Sequence, residues 1–341
     1  MKAVLKRTEE LGLGDAVTQQ RIGWFTRQRN LIVEIPGTAD EIVYIVAHYD
    51  KVDVNPFTLA SNTLNGALDE LVSLTYGSHG ALDNATGVAV ALELAATLLS
   101  DPNRRPTYRI LLTGGEEAGL QGSRVHVAKL SAAEKKRIAL VINIDCVGAA
   151  FKPNCVTAHI TPDAFVQKAL STANRLGMEL GVGWLPFGVS SDFAPFRKNS
   201  FARELGRGLM FNGLGGLLPK RSWFTSSHTG TVVNFSACDL ASPSQLLSTA
   251  VLIPFGRIHG PRDRSNRINP RRLYEAYAII RELLREKGTQ GTEGHAWIEP
   301  HGPLGYRLPK RHAAQSDSSG MLRGLQSGRT APPIFLAGPV D

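Results

Sequence analysis

Short runs of aliphatic and β-branched residues, each closed by polar ones, punctuate the first half of the chain. Glu41–Ala47 (EIVYIVA), Thr107–Leu112 (TYRILL) and Arg137–Ile144 (RIALVINI) carry the pattern of buried strands. Between the first two, Val88, Ala91, Leu92, Ala95 and Leu99 recur at helical spacing. The order strand, helix, strand, helical segment, strand predicts an α/β fold: a mostly parallel central sheet with helices on both faces. Further on, Pro162–Leu176 reads as a helix. Asn269-Pro270 offers a cap and a first-turn proline before an amphipathic run with Leu273, Tyr277, Ile280 and Leu284, stopped by Gly288. Past that glycine the chain turns to Gly, Ser, Pro, His and Arg without periodicity. One domain over 1–288 and a low-complexity, disordered tail over 289–341 are therefore expected.

Composition narrows the classes. At 341 residues and 43% hydrophobic, the chain can bury one large core. Its formal net charge of +8 raises the question of nucleic acid, but Lys and Arg thicken only over Arg262–Arg285 and in the tail, with no interleaved aromatics. A solvated basic face is expected, and no nucleic-acid partner. Cys146, Cys155 and Cys238 form no CxxC pair and no even set, as expected of small buried residues in a reducing compartment. No apolar run approaches the roughly 18 to 20 residues that span a bilayer, so no membrane partner is expected. Met1 is followed by a charged segment rather than an apolar h-region, which predicts a cytoplasmic protein. A true start further upstream would reverse that expectation in favour of secretion.

The polar residues that close the strands carry the chemistry. His48-Tyr49-Asp50 follows the first strand, Gly115-Glu116-Glu117 follows the second after Thr113-Gly114, and Asp145 ends the third. Asp83, in Asp83-Asn84-Ala85-Thr86-Gly87, sits at or just before the start of the helix near Val88. Ligands in open α/β sheets bind beyond the carboxyl ends of the strands, so these side chains should share one crevice. Singly, each has an ordinary explanation: a surface histidine, a helix cap, a solvated turn, a strand-end carboxylate. Together, so many carboxylates at one sheet edge would repel one another unless cations neutralise them. A metal centre resolves the conflict.

With Asn30–Gly37, Val46–Asp50, Ala81–Gly87, Gly114–Ser123 and Asn143–Asp145 in this order, the chain resembles the M28 metallopeptidases from about Val4 to about Asp239. These include leucyl-type aminopeptidases, and glutaminyl cyclases share their three-layer zinc-peptidase fold. The resemblance implies two zinc ions per chain, with cobalt or manganese also acceptable to such ligands. It makes Asp83 the carboxylate shared by both ions. His48 and Asp145 complete one site, and Glu117 and His228, in Ser226-Ser227-His228-Thr229, complete the other. Glu116 becomes the general base for a water held between the ions, and Asp50 the group that orients the His48 ring. The implied substrate is a peptide with a free amino terminus.

The chain departs from the family pattern in several places. His228 lacks the usual Tyr, Pro and Asp around it, and the competing histidines are His79, His126 and His159. Lys51–Gly80 is longer than usual and is read either as a lid beside the ligands or as a neutral insertion. Gly188–Phe196 resembles a Ser-Asp-His-x-Pro-Phe stretch with Phe193 in place of the histidine, and Trp184, Phe187 and Phe193 could line a pocket or simply be core. The sequons at Asn84 and Asn234 fall inside motif or core segments and read as fortuitous. No HExxH, GxSxG or GxxxxGK[ST] motif competes. The alternatives are a single-zinc glutaminyl-cyclase-like acyltransferase, a carboxypeptidase or dipeptidase using Arg197 or Arg203 to bind a carboxylate, and a catalytically silent binding module.

Overall fold

The strands whose side chains alternate between two apolar layers define the centre of the molecule. In the computed structural model, residues 1–24, 26–51, 78–158, 160–183, 185, 190–197, 230–237, 258 and 263–289 are described. All of them fall in one unit, Met1–Ile298. The strands are β1 (Val17–Arg21), β2 (Arg29–Ile35), β3 (Ile42–His48), β4 (Thr107–Thr113), β5 (Ile138–Asp145), β6 (Cys155–Thr157), β7 (Gly181–Gly183) and β8 (Thr231–Ser236). They form an eight-stranded sheet in the order β1-β2-β4-β3-β5-β8-β6-β7. The central four, β4-β3-β5-β8, are mutually parallel. β1 and β2 add an antiparallel flank, and β6 joins β8 antiparallel. The three runs legible as strands are β3, β4 and β5, and β3 is buried at every position.

Helices cover both faces. Ile42, Tyr44 and Val46 of β3 pack with Val127, Leu130, Phe193 and Phe196, below α3 (Gln121–Lys129) and α4 (Ala132–Arg137). The alternate face receives α2 (Thr86–Leu99), which packs across β3, β4 and β5. Behind α2 lies α6 (Pro270–Thr289), which also touches α5 (Asp163–Arg175). The predicted start of α6 holds, since Asn269 Oδ1 accepts the N–H of Arg271 at 3.0 Å. Helix α1 (Lys2–Glu10) precedes the sheet.

Several expectations are adjusted. The stretch Ala81–Leu99 is long and apolar enough to pass for a membrane span, contrary to the reading that no run comes close, but 67% of it is buried inside the protein. It is a core helix with its preceding turn. Phe193 is core, packed with Tyr44 and Phe196, rather than a pocket wall. Both sequon asparagines are buried: Asn234 Nδ2 donates to Thr157 Oγ1 at 2.8 Å, and Asn84 Nδ2 donates to the Ile144 carbonyl at 2.9 Å. Cys146 and Cys155 are buried as expected. His228, His159, Trp184, Phe187, Arg203, Cys238, residues 52–77 of the long insertion and all but the first residue of the expected tail lie outside the described residues.

Candidate metal centre

Adjacent parallel strands end together, and that delivers the predicted side chains to one edge. His48 is the last residue of β3 and pairs in register with Thr113, the last residue of β4. Asp145 ends β5 on the other side of β3. Asp83 comes from the turn Ala81–Ala85 that leads into α2. α2 comes so close to β5 there that a Cβ on Gly87 would lie 2.4 Å from the Ile144 carbonyl oxygen and 2.3 Å from Asn84 Oδ1. Only glycine permits that approach. Beyond β4 the chain turns through Gly115, whose φ of +70° suits a residue without a side chain, to reach Glu116 and Glu117.

His48, Asp83 and Asp145 meet, with Nε2 of His48 lying 3.0 Å from Asp83 Oδ1 and 3.5 Å from Asp145 Oδ1. One ligand atom from each lies within 4.8 Å of the others, and the same holds for His48, Glu116 and Glu117. Four of the predicted residues are thus brought to the imidazole of a fifth, His48. Glu117 falls in the second cluster, with Glu116, and not in the one that holds Asp83.

Asp50 acts differently from the expectation. Its carboxylate is 3.7 Å from Nδ1 of His48, too long for a hydrogen bond, and it instead accepts the N–H groups of Glu116 at 3.1 Å and Glu117 at 3.2 Å. Nδ1 of His48 meets the Asp50 backbone carbonyl at 3.2 Å. A proton on Nδ1 satisfies that carbonyl, which can only accept, and leaves the Nε2 lone pair facing Asp83 and Asp145. The side chain of Asp50 therefore fixes the paired glutamates, and its backbone orients the ring.

The electrostatics call for a cation. Burial on its own would lower the pKa of His48, yet the surrounding Glu116, Asp145 and Asp83 hold it well above the usual histidine range. Burial raises Glu116 well above the usual carboxylate range, and repulsion from Glu117, Asp192 and Asp145 adds to it against the pull of His48. Asp50 is also raised, chiefly by burial. Asp192, which accepts a hydrogen bond from Thr113 Oγ1, is pushed by burial to about 6. Asp145 Oδ1 is buried and makes no hydrogen bond within usual length among the described residues. One imidazole cannot balance this many carboxylates, and imidazole with carboxylate oxygens is a donor set that fits zinc.

Two contributors lay outside the expected set. Asp192 was legible only as part of the Ser-Asp-x-x-Pro-Phe resemblance. Asp263 accepts backbone N–H groups of Leu82 at 2.6 Å and Asp83 at 3.3 Å, while Ile258 packs with Leu82 and Cys146. A usable signal was the histidine between them, in His259-Gly260-Pro261-Arg262-Asp263. His259 itself lies outside the described residues. So does His228, whose nearest described neighbour, Gly230, donates to the Ile138 carbonyl at 2.6 Å. His126, one of the competing histidines, is buried in α3, facing Tyr44 on the side of the sheet that packs against α3.

Comparison with known proteins gives the arrangement a lineage. A family model described as Peptidase family M28 matches residues 30–284. Aminopeptidase YwaD of Bacillus subtilis (strain 168) is 30% identical over 197 residues, 54% of this chain and 38% of that protein. The chain thus spans less than two-fifths of that relative's length. The LapA aminopeptidase of Legionella pneumophila matches in structure with a TM-score of 0.56 at 16% identity, covering 85% of this chain and 64% of the other. Glutaminyl cyclase of Porphyromonas gingivalis matches at 0.53 and 17% identity, covering 84% and 88%. Those two likenesses establish the fold.

Proposed function

We propose that this chain, which belongs to peptidase family M28, is a zinc-dependent peptidase that removes residues from the amino end of peptides. The observation that carries this reading is the convergence of Asp83, Asp145, Glu116 and Glu117 on His48 at the carboxyl edge of three adjacent strands. His48, Asp83 and Asp145 would hold one zinc, and Glu117 would contribute to a second. Zinc bound there supplies a Lewis acid for the scissile carbonyl and makes a water ionisable near neutral pH. Glu116 would take the proton from the attacking water and pass it to the leaving amine, as a carboxylate beside the ligand cluster and next to Glu117 can. Asp50 keeps the backbone of both glutamates in place during that exchange. Carboxylates in excess of the ligands suit the cationic amino end of a peptide.

For the remaining imidazole, the fold supports His259 over His228. Gly230 is bonded at Ile138, the start of β5, and Asp145 is at the far end of that strand. The ends of a strand of this length lie roughly 23 Å apart, and two residues of chain reach about 7 Å at most. His259 instead follows Ile258, packed on Leu82, and precedes Asp263, bonded to the backbone of Asp83.

Metal analysis and hydrolysis of aminoacyl p-nitroanilides by the full chain test the reading. The wild type should carry two zinc ions and release p-nitroaniline. His259→Ala should lose one ion and the activity, while His228→Ala keeps both. One zinc with cyclisation of amino-terminal Gln would favour the acyltransferase alternative, and a chain with neither metal nor turnover would overturn the proposal.

A further inference from the structure

The turn that presents Asp83 is not helical: Asp83 has φ −118°, ψ 88° and Asn84 has φ −139°, ψ 46°. Its amides therefore need partners from elsewhere. On one side, Asn84 supplies them. Its Oδ1 accepts the N–H of Gly87 at 2.9 Å and of Cys146 at 3.2 Å, and its Nδ2 donates to the Ile144 carbonyl. That side chain sews the turn to the end of β5, where Asp145 stands.

On the other side the partner is Asp263, 180 residues further along the chain and fully buried. Oδ1 accepts the N–H of Leu82 at 2.6 Å, and Oδ2 accepts the N–H of Asp83 at 3.3 Å and the hydroxyl of Ser78 at 2.8 Å. The Ser78 oxygen in turn accepts the N–H of Gly80 at 2.9 Å. All three groups that meet Asp263 are donors, and they converge from one segment. Only a carboxylate offers acceptors at both oxygens, since an asparagine would turn an NH₂ toward one of them.

We infer that Asp263 is a positioning residue that holds the Asp83 carboxylate where a metal ion can be gripped jointly with His48 and Asp145. This rests on the metal-dependent function proposed above. It makes the segment just before α6 part of the metal site without being a ligand through this residue. Groups that orient metal ligands typically contribute about 10- to 100-fold to metal affinity.

The experiment uses the full chain, stripped and reloaded. Zinc affinity is measured by chelator competition, the visible spectrum is recorded after cobalt substitution, and the melting temperature is measured with and without zinc. Asp263→Asn should bind zinc about 10- to 100-fold more weakly than wild type, with an altered cobalt spectrum and a smaller rise in melting temperature on adding zinc. Wild-type affinity and spectrum in Asp263→Asn would overturn the inference while leaving the proposed function standing. If Asp263→Asn does not fold, Ser78→Ala becomes the test. It removes one donor to Asp263 and the acceptor of the Gly80 N–H, leaves the Leu82 and Asp83 N–H contacts to Asp263, and should weaken zinc binding several-fold with a spectral change. An unchanged affinity and spectrum there would equally overturn the inference. A wild-type chain that binds no metal would overturn both.

Discussion

His48 and His126 are both almost wholly buried, at 1% and 4% exposure, and their surroundings drive them in opposite directions. His126 belongs to α3, on the face turned to the sheet, where its ring meets Tyr44 Oη at 3.0 Å and Gln20 Oε1 at 3.2 Å. Tyr44 accepts from Arg109 at 3.1 Å, so its own proton points at Nε2, and Nδ1 donates to the glutamine oxygen. Every group is satisfied by a neutral ring. Burial, reinforced by Arg109, lowers its pKa to about 4. At the edge of the same sheet His48 faces four carboxylates, those of Asp83, Asp145, Glu116 and Glu117. Burial there is overcome and the ring is held well above its usual range. Burial alone makes an inert core histidine, and a metal site needs the converging negative charge as well.

The largest way to break that contrast is to remove the charge that most raises His48. Among the groups acting on the ring, Glu116 exerts the strongest upward pull. Glu116→Gln deletes that charge and the proposed proton carrier together, while leaving His48, Asp83 and Asp145 in place. Turnover should fall on the order of 10² to 10⁴-fold with metal content near wild type. Steady-state kinetics and metal analysis check it, and turnover within tenfold of wild type would count against the role of Glu116.

A smaller effect sharpens the other half. In the folded chain His126 takes a proton only near about 4, against 6.5 ordinarily, so between those values the unfolded chain binds more protons. Its contribution to stability is complete above the unfolded value and is lost as pH falls through that window. The contribution is about 3 kcal/mol. Replacing His126 with Gln should flatten this part of the acid dependence, with a cost at neutral pH of about 1 to 3 kcal/mol from the disturbed hydrogen bonds. Urea midpoints for both proteins at about pH 5 and about pH 7.5 measure it. An equal acid loss in the two would show that His126 is not the group responsible.

The same contrast explains how far the chain could be read beforehand. β3, β4 and β5 are predominantly apolar runs because both of their faces are largely covered, and the polar residues that end them stand out against that background. β1 reads Val-Thr-Gln-Gln-Arg, half exposed at the sheet margin, and β6 and β7 are three residues each, too short for any period to show. The place of His126 in a stretch of regular structure argues against a ligand, but what keeps its ring neutral, Arg109 and Tyr44 from two strands, is visible only in the structure. Asp50 was legible as a member of the site but not in its task, since two residues of separation do not say whether the carboxylate or the carbonyl faces the ring. Asp263 stands in a basic stretch that reads as solvated surface, and only the long-range contact with the Asp83 turn reveals it.

The smallest expected effect concerns the charge that sits behind His126. Arg109 is braced by Glu34 at 2.5 Å, by Glu134 at 3.2 Å and by the Tyr44 hydroxyl, and the Glu34 side chain is about half exposed. Water screens a pair of this kind, and its net worth is about 0 to 1 kcal/mol. Glu134 is also tied into the start of α4, where its carboxylate and Ser131 bond each other's backbone N–H, so Arg109 keeps a fixed partner when Glu34 is gone. Glu34→Gln should therefore leave the Tyr44–His126 contact intact and make the neutral form of His126 slightly more favoured, because Arg109 would be less compensated. Thermal unfolding should shift by no more than that small amount, and the shift should shrink further as salt is added. A loss as large as that expected of the His126 variant would mean that the exposed glutamate, and not the buried tyrosine, holds Arg109 over the histidine.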